Sequence, residues 1–299
     1  MEKFIQKAGI LIEALPYIQS FKGKITLIKF GGSAMANNTW MRNVLTDIVF
    51  LYTVGIKPVI VHGGGNRISE AMRDLGKTPK FVQGYRVTDE ETVQTVEKVL
   101  FEEINHEIVE LIKSIGGDAE GLSGKRHGLI VAEKHLLDAP FDKEDLGFVG
   151  NVKSIYTQPL TTLLHENKIP VIAPVAIGSD GYTYNINADL AAGEIARAIG
   201  AEKLVFLTDV DGIMRDKNDR NSLISHIDVD MVKNLIDTGV ISGGMIPKVT
   251  AGQKAVANGV GKTHIINGMI PHTLLLEIFT DKGIGTEIVS RNNHMAELI

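Results

Sequence analysis

Short runs of apolar residues alternate with longer amphipathic segments along this chain of 299 residues. The apolar runs are rich in Val and Ile and are bounded by Gly, Pro or polar turns, a pattern typical of buried strands. It predicts strands at 24–30, 57–62, 168–175, 202–208 and 262–267. Apolar residues recur with helical spacing at 43–54, 89–115, 188–199 and 247–258. The alternation predicts a three-layer α/β/α sandwich with a central, mainly parallel sheet.

Two segments depart from this alternation. Residues 146–155 and 177–186 carry alternating side chains around Gly-containing turns, which predicts two β-hairpins. No low-complexity tract or flexible linker interrupts the chain, so any boundary between lobes falls in a compact connection, which we place near Asn187.

A further helix is predicted ahead of the first strand. Its apolar side chains recur every three or four residues, at Phe4, Ile5, Ala8, Leu11, Ile12 and Leu15, and Pro16 follows them. The pattern indicates an amphipathic helix. By itself it is equally compatible with a helix that packs on its own domain.

Composition excludes several classes of protein. The formal net charge is -5 and no long run of Lys or Arg occurs, so nucleic-acid binding is not expected. The chain has no cysteine, which excludes disulfides, thiolate metal sites and Cys nucleophiles and is compatible with a reducing cytosol. Neither a signal peptide nor a membrane-spanning apolar run is present, so we expect a cytoplasmic location. The 9 histidines lack metal-ligand spacing, and no protein metal site is predicted.

Glycine-rich loops follow the first two predicted strands, at 28–35 ("IKFGGSAM") and 61–66 ("VHGGGN"), and a third, at 242–248 ("SGGMIPK"), precedes a helix. Ligands of open α/β sheets bind beyond the carboxyl ends of the strands. Glycine lets the backbone approach a ligand, and consecutive N–H groups attract phosphate or carboxylate oxygens. The loops therefore predict an anion-binding cleft.

Charged residues accompany these loops. Lys29 lies inside an apolar strand, and a buried amine is costly unless it is paired or faces an anion, so we expect it to be functional. Lys248 follows the third loop. Asp189, in "NINAD", is either part of a helix cap or a member of a polar cluster that faces the cleft. Arg86 is either a solvated surface residue or a bidentate ligand for a carboxylate.

An acidic motif, "LTDVDGI" at 207–213, follows a buried strand. Asp209 is a nucleophile in one interpretation, since strand-end D-x-D-G patterns occur in phosphatases that form an aspartyl phosphate. In a second interpretation the motif only borders a nucleotide. In a third, the protein is a non-catalytic ligand sensor.

Taken in order, seven motifs resemble those of the amino acid kinase family over nearly the whole chain. They are KFGGSAM, VHGGG, GYRVTD, YNINADLAA, LTDVDGI, GGMIPKV and LLEIFTDKGIGT. K-x-G-G and T-D-V-D-G also occur in aspartokinases, glutamate 5-kinases and uridylate kinases, which remain alternatives. R-V-T-D, N-I-N-A-D and G-G-M-x-P-K are similar to the acetylglutamate kinase branch. Asn66 departs from the family, which often has proline there.

The resemblance implies ATP-dependent phosphorylation of the side-chain carboxylate of N-acetyl-L-glutamate, the second step of arginine biosynthesis. It implies that Lys29 and Lys248 approach the transferred phosphoryl group, that Asp189 orients both lysines, and that Mg²⁺ is held mainly by the ATP phosphates. By the same resemblance, acetylglutamate is expected to bind at Gly64, Gly65, Arg86 and Asn185, and ATP at Gly32, Thr208 and Asp209. An acetylglutamate-binding lobe at 21–187 and an ATP-binding lobe at 188–299 are expected.

The resemblance also implies regulation. In arginine-inhibited members of the family, an N-terminal helix such as residues 1–20 interlaces with its counterpart on another dimer. The result is a hexamer that is a trimer of dimers. L-Arginine is then the expected inhibitor, at Tyr17, Lys203, His264, Glu277 and Gly283. A nitrogen-signalling protein is a further candidate partner, which the sequence neither supports nor excludes.

Overall fold

The computed structural model describes residues 1–32, 35, 38–137, 141, 144–216, 219–280 and 283–290. Its strands are β1 (Ile25–Phe30), β2 (Lys57–His62), β3 (Phe81–Val82), β4 (Tyr85–Arg86), β5 (Ala119–Ser123), β6 (Ile130–Lys134), β7 (Val149–Ile155), β8 (Ile169–Ala173), β9 (Val175–Gly178), β10 (Thr183–Ile186), β11 (Lys203–Thr208), β12 (His226–Asp228), β13 (Lys262–Asn267) and β14 (Thr286–Val289). The quoted motifs extend outside the described residues at 33–34 and 281–282, and the predicted lobe 188–299 does so also at 217–218 and 291–299.

The helices follow the same chain order. They are α1 (Glu2–Glu13), α2 (Leu15–Phe21), α3 (Asn38–Thr53), α4 (Gly65–Asp74), α5 (Glu90–Glu97), α6 (His106–Ser114), α7 (Gln158–His165), α8 (Ala188–Ala198), α9 (Val232–Asp237), α10 (Met245–Ala257) and α11 (Thr273–Ile278). A π-helical segment, Lys98–Asn105, joins α5 to α6, and 3₁₀ turns occur at Arg220–Ser222 and Val229–Met231.

The main sheet of the described chain has eight strands in the order β12-β14-β13-β11-β1-β2-β8-β5. All its pairings are parallel except that between β13 and β14. β1 lies at the centre, between β2 from the first half of the chain and β11 from the second. The mainly parallel sheet predicted from the sequence is therefore confirmed.

Alternate residues of the central strands enter two different hydrophobic clusters. Leu27 belongs to the cluster packed with α8 and α10, whereas its neighbour Ile28 belongs to the cluster packed with α3 and α6. Because successive side chains of a strand point to opposite faces, the two clusters lie on opposite sides of the sheet. Helices thus cover both faces, as the predicted three-layer sandwich requires.

A second, four-stranded sheet of β6, β7, β9 and β10 closes on itself. The hairpin predicted at 177–186 is confirmed, since β9 and β10 pair antiparallel. The prediction of a hairpin at 146–155 is wrong. This segment contains a single strand, β7, and its antiparallel partner is β6 rather than a second strand from the same segment. The strand predicted at 168–175 ends at Ala173, and β9 begins after Pro174, which has no N–H for a ladder bond.

The amphipathic N-terminal helix is present as α1, and α2 follows it with Pro16 in its first turn. The apolar side chains of α1 are exposed: Phe4 is 71%, Leu11 68% and Ile12 67% accessible. The interpretation that this helix packs on its own domain therefore does not hold. No helix among the described residues is long and apolar enough to cross a membrane.

Candidate active site

The first two glycine loops lie side by side at the carboxyl ends of β1 and β2. Those strands are paired in register, and the N–H of Gly63 donates to the carbonyl of Phe30 over 2.8 Å. A cavity of about 260 Å³ opens there. Seven of the predicted site residues line it: Lys29, Gly32, Gly64, Gly65, Arg86, Asn185 and Asp189. Gly32, predicted from the sequence to bind ATP, lies here with Lys29.

Asp189 joins the two predicted catalytic lysines. Its Oδ1 lies 2.7 Å from the ammonium of Lys29, and its Oδ2 accepts a hydrogen bond of 2.7 Å from Lys248. The carboxylate is positioned by the start of α8, where Asn187 Oδ1 accepts from the N–H of Asp189 over 2.8 Å. Both interpretations of "NINAD" thus hold for different residues, since Asn187 caps the helix and Asp189 faces the cavity.

The charges in this triad are held in a buried setting, with Lys29 8% and Asp189 5% exposed. Burial alone would raise the pKa of Asp189, but the charges of Lys29 and Lys248 lower it. Burial lowers the pKa of Lys29, against the opposing attraction of Asp189. Two ammonium groups share one carboxylate, so the triad keeps a surplus positive charge that suits a second anion.

Arg86 is buried on β4 and is not the solvated surface residue considered above. Its Nη2 donates to the carbonyl of Gly65 over 2.7 Å and to Ser69 Oγ over 2.9 Å. The guanidinium also lies 4.7 Å from the ring centroid of Phe81. Each pair of parallel N–H groups in a guanidinium includes one on Nη2. A bidentate grip on a carboxylate would therefore replace at least one of these two bonds.

The acidic motif forms a turn beyond β11. Thr208 Oγ1 donates to the carbonyl of Val210 over 2.8 Å and accepts from its N–H over 3.1 Å. Asp209 is exposed and borders a second cavity, of about 330 Å³, whose wall includes the apolar side chains of Met214 and Met245. This cavity lies against the start of α10, the helix that carries Lys248. Thr208 itself is buried beneath the turn.

A third cavity, of about 460 Å³, is lined by all five positions assigned to the effector: Tyr17, Lys203, His264, Glu277 and Gly283. Three of them form a buried chain, with Lys203 Nζ 3.3 Å from His264 Nε2 and His264 Nδ1 2.6 Å from Glu277 Oε1. Burial and the charge of Lys203 lower the pKa of His264. Lys203, in the third cavity, begins β11, and Thr208, before the loop of the second cavity, ends it about 16 Å further along the strand.

Sequence reasoning missed two polar residues that support this region. Ser69 accepts from Arg86, and Asn105 donates to His62, the residue before the second glycine loop. For Asn105 the sequence does contain a signal, because it is a polar residue on the apolar side of the helical pattern 89–115. The structure buries this side chain, which is 2% exposed and hydrogen-bonded. Ser69 has no comparable signal, because an amphipathic helix tolerates serine on either face.

Comparisons with known proteins identify relatives of this chain. A sequence profile of the amino acid kinase family matches residues 24–267. "Acetylglutamate kinase" of Heliobacterium modesticaldum is 51% identical over 294 residues, covering 97% of this chain and 100% of that protein. "Acetylglutamate kinase" of Caldanaerobacter subterraneus subsp. tengcongensis is 52% identical over 290 residues, covering 96% of this chain and 95% of that protein.

A solved structure is similar as well. N-acetylglutamate synthase of Neisseria gonorrhoeae, complexed with coenzyme A and N-acetyl-glutamate, superposes with a TM-score of 0.83 at 25% identity. The match covers 95% of this chain, which spans 63% of the synthase chain.

The chain therefore belongs to the amino acid kinase family. Its full-length relatives place it, within that family, among the acetylglutamate kinases, and it is an enzyme of that type. The phosphatase and ligand-sensor interpretations of the acidic motif are set aside by this assignment.

Proposed function

We propose that this enzyme transfers the γ-phosphoryl group of ATP to the side-chain carboxylate of N-acetyl-L-glutamate, as the second step of arginine biosynthesis. A bond forms between a carboxylate oxygen and the γ-phosphorus, and the bond from that phosphorus to the β–γ bridging oxygen breaks. ADP leaves with the bonding electrons. The observation that carries the proposal is the triad Lys29–Asp189–Lys248, which bridges the glycine-loop cavity and the helix beside the second cavity.

The triad fits the needs of this reaction. The acceptor carboxylate is already ionised at neutral pH, so no general base is required. Phosphoryl transfer depends mainly on positioning and on neutralising negative charge. Lys29 and Lys248 each direct a bond to Asp189 and keep further N–H groups for the phosphoryl oxygens. We assign the backbone N–H groups of Gly32 and Gly65 to the same oxygens.

We assign the acetylated amino acid to the cavity lined by Gly64, Gly65, Arg86 and Asn185. Arg86 would hold its α-carboxylate by exchanging a bond to Ser69 or to the Gly65 carbonyl for one to the ligand. Since that carbonyl belongs to the glycine loop, binding of the acceptor would alter a contact of the loop whose N–H groups are assigned to the phosphoryl oxygens.

Arg86→Lys should raise the KM for acetylglutamate by roughly tenfold or more and change the KM for ATP much less. Lysine keeps the charge but cannot make two parallel bonds to a carboxylate. Steady-state kinetics with each substrate varied in turn would measure both constants. Arg67→Lys is the matched control, because Arg67 pairs with Glu103 and Glu107 outside the cavity. Equal weakening of both substrates by Arg86→Lys would instead assign Arg86 a structural role.

We place the nucleotide in the second cavity, where Thr208 and Asp209 shape the loop and the Met side chains provide an apolar wall for the adenine. Mg²⁺ would neutralise the phosphate charge. The carboxylate beside the phosphoryl position, Asp189, is already occupied by two lysines, and no cluster of metal-binding side chains occurs among the described residues. These residues fit a magnesium ion that is held mainly by the phosphates of ATP.

The product can be trapped directly. An acyl phosphate reacts with hydroxylamine to give a hydroxamate, whereas a phosphate ester or a phosphorylated amine does not. The proposal predicts hydroxamate formation that requires ATP, acetylglutamate and enzyme together. ADP release without any hydroxamate would contradict transfer to a carboxylate.

We further propose feedback inhibition by L-arginine at the third cavity. The carboxylate of Glu277 suits a guanidinium, and Lys203 with the Tyr17 hydroxyl suits the carboxylate end of the ligand. Tyr17 belongs to α2, which follows the exposed apolar face of α1. Pairing of α1 with its counterpart on another dimer would bury that face and give the hexamer. The third cavity would then lie beside the assembly contacts.

Arginine should raise the apparent acetylglutamate requirement by roughly 5–150-fold, the usual range of a coupling between two sites. Glu277→Gln should remove much of this response and leave basal activity largely unchanged. Removal of residues 1–20 should abolish both the response and the hexamer. Saturation curves with and without arginine, and sedimentation of each protein, would measure these effects.

A double variant tests the role of assembly without altering the residues of the effector cavity. Phe4→Ser with Leu11→Ser makes the exposed face of α1 polar and leaves Tyr17 in place. It should dissociate the hexamer and keep catalytic activity. A full-length dimer that is insensitive to millimolar arginine would contradict the regulatory proposal and leave the assignment as a kinase standing.

A further inference from the structure

His62 ends β2 immediately before the second glycine loop, and its ring is fully buried. Its Nδ1 lies 3.0 Å from the carbonyl oxygen of Gly63, and its Nε2 lies 3.1 Å from Asn105 Nδ2. The same Nδ2 donates to the carbonyl of Val171 over 2.9 Å, which fixes the orientation of the amide. An amide nitrogen can only donate, so His62 Nε2 accepts and its proton lies on Nδ1, facing Gly63.

Asn105 ends the π-helical segment Lys98–Asn105. Two other side chains of that segment lie against the glycine loop. A Cβ built on Gly64 would come within 2.5 Å of Leu100 Cδ2 and 2.7 Å of Ile104 Cδ1. The segment therefore touches the loop through packing at Gly64 and through the hydrogen-bonded bridge at His62. π-Helical geometry is rare, and where it interrupts an α-helix it is frequently found at functional sites.

The oxygen side of the Asn105 amide packs against Gly121 of strand β5. A Cβ on Gly121 would lie 2.1 Å from Asn105 Oδ1, so only glycine at this position leaves room for the amide. Gly121 pairs with Val171, whose carbonyl accepts from Asn105. The contacts thus run from the sheet through Asn105 and His62 to the backbone of the loop.

We propose that the π-helical segment is a positioning element for the glycine loop Gly63–Gly65, and that His62 and Asn105 are positioning residues that transmit its placement through one fixed, neutral tautomer of the imidazole. The proposal deepens the proposed function, because it rests on the role given there to Gly64 and Gly65. Neither His62 nor Asn105 is assigned a contact with substrate.

The electrostatic surroundings require a neutral His62. Burial lowers the pKa of His62 to about 4, a hydrogen bond to Gly63 opposes the shift, and the charge of Lys29 adds to it. Beyond Lys29 lie Asp189 and Lys248, the remaining charges of the triad. A neutral ring can donate to the loop without placing a third positive charge beside the two lysines. Loss of the Asn105 donor would leave the Nε2 lone pair free to accept a proton, so the pKa of His62 should rise.

Four variants of the full-length enzyme test the proposal. Asn105→Leu removes the donor to Nε2. Gly121→Ala displaces the amide without touching His62 or the loop. His62→Asn keeps a donor near Gly63 and loses the bridge. Glu120→Ala is the control on the same strand, because Glu120 pairs with Lys168 at the surface. The three test variants should lower kcat by roughly 10–100-fold, as misplacement by about an ångström does, and change the KM for ATP less than about threefold.

The pH dependence gives a readout that a merely structural role would not move. In Asn105→Leu and Gly121→Ala the acid limb of the kcat profile should shift to higher pH, since protonation of His62 becomes easier, whereas His62→Asn should lack this limb. Nitrogen-15 NMR of histidine in the wild-type enzyme should show His62 as the Nδ1–H tautomer, without titration between pH 5.5 and 8. That measurement needs no variant to fold.

Two results would overturn the proposal. One is a wild-type His62 that carries its proton on Nε2 or titrates near pH 6.5. The other is a set of folded variants with unchanged kcat and unchanged acid limb. Failure of the proposed function gives a different outcome: the NMR result would stand, but the enzyme would form no acyl phosphate from acetylglutamate and ATP.

Discussion

Lys29→Met should lower kcat by about 10²–10³-fold and leave the fold intact. Lys29 is assigned to the transferred phosphoryl group, and loss of one preorganised donor of this kind typically costs about 3–4 kcal/mol of transition-state stabilisation. Methionine is similar in length and fills the space of the side chain. Asp189 keeps its bond to Lys248, so no unpaired carboxylate results. Single-turnover measurements at saturating ATP and acetylglutamate would report the chemical step, and circular dichroism would report the fold.

Lys24→Met is the matched control, because Lys24 precedes the same strand but forms only a surface pair with Glu202. It should leave kcat within about twofold, as expected for an exposed ion pair. Lys248→Met should resemble Lys29→Met. Near-normal turnover in either triad variant would mean that the lysine concerned has no role in the transition state.

Asp189→Asn should have a larger overall effect than Lys29→Met, because it should lower both kcat and the free energy of unfolding. The substitution leaves two ammonium groups facing one neutral amide, and removing one member of a buried ion pair costs about 3–5 kcal/mol. The lysines would repel each other and lose the positions from which both reach the phosphoryl group. Urea unfolding at pH 7 and kcat measurements on the same preparations would separate the two effects.

The lowered pKa of Asp189 in the folded state determines how the stability of the protein changes with pH. The ion pairs stabilise the native protein above the unfolded-state value of about 4, and that contribution is lost as the pH falls through the folded-state pKa. The difference in stability between wild type and Asp189→Asn should therefore shrink in acid. ATP should stabilise the variant more than the wild type, since its phosphates supply the missing anion. A variant with wild-type stability and turnover would show that Asp189 does not organise the lysines.

The sequence predicted the central strands because each combines an unbroken apolar run with a clear boundary. It failed at 146–155, where alternation around a glycine has two explanations, a hairpin turn or one strand that pairs with another segment. The partner, β6, could not be identified, because its short run "IVAEK" has no strong pattern of its own. Strand pairing at long range is decided by packing that no local window contains.

In the candidate site, too, some residues could be predicted from the sequence and others could not. Lys29 was recognisable by itself, since a charged residue in a buried strand requires an explanation. That Asp189 lies between Lys29 and Lys248 is a property of the fold, because residues 160 and 59 positions away meet only when β1, α8 and α10 are assembled. The role of Ser69 could not be predicted for a similar reason. Its significance arises only when β4 brings Arg86 onto α4.

The central claim is that the acceptor is a carboxylate of N-acetylated glutamate and that the triad transfers a phosphoryl group to it. The most direct measurement is ATP turnover in a coupled assay, with N-acetyl-L-glutamate, L-glutamate, L-aspartate and UMP offered separately as acceptors. The account predicts turnover with the acetylated acid, little with the other three, and a fall of about 10²–10³-fold in the Lys29→Met enzyme. Turnover with UMP or free glutamate but not with N-acetyl-L-glutamate would contradict it.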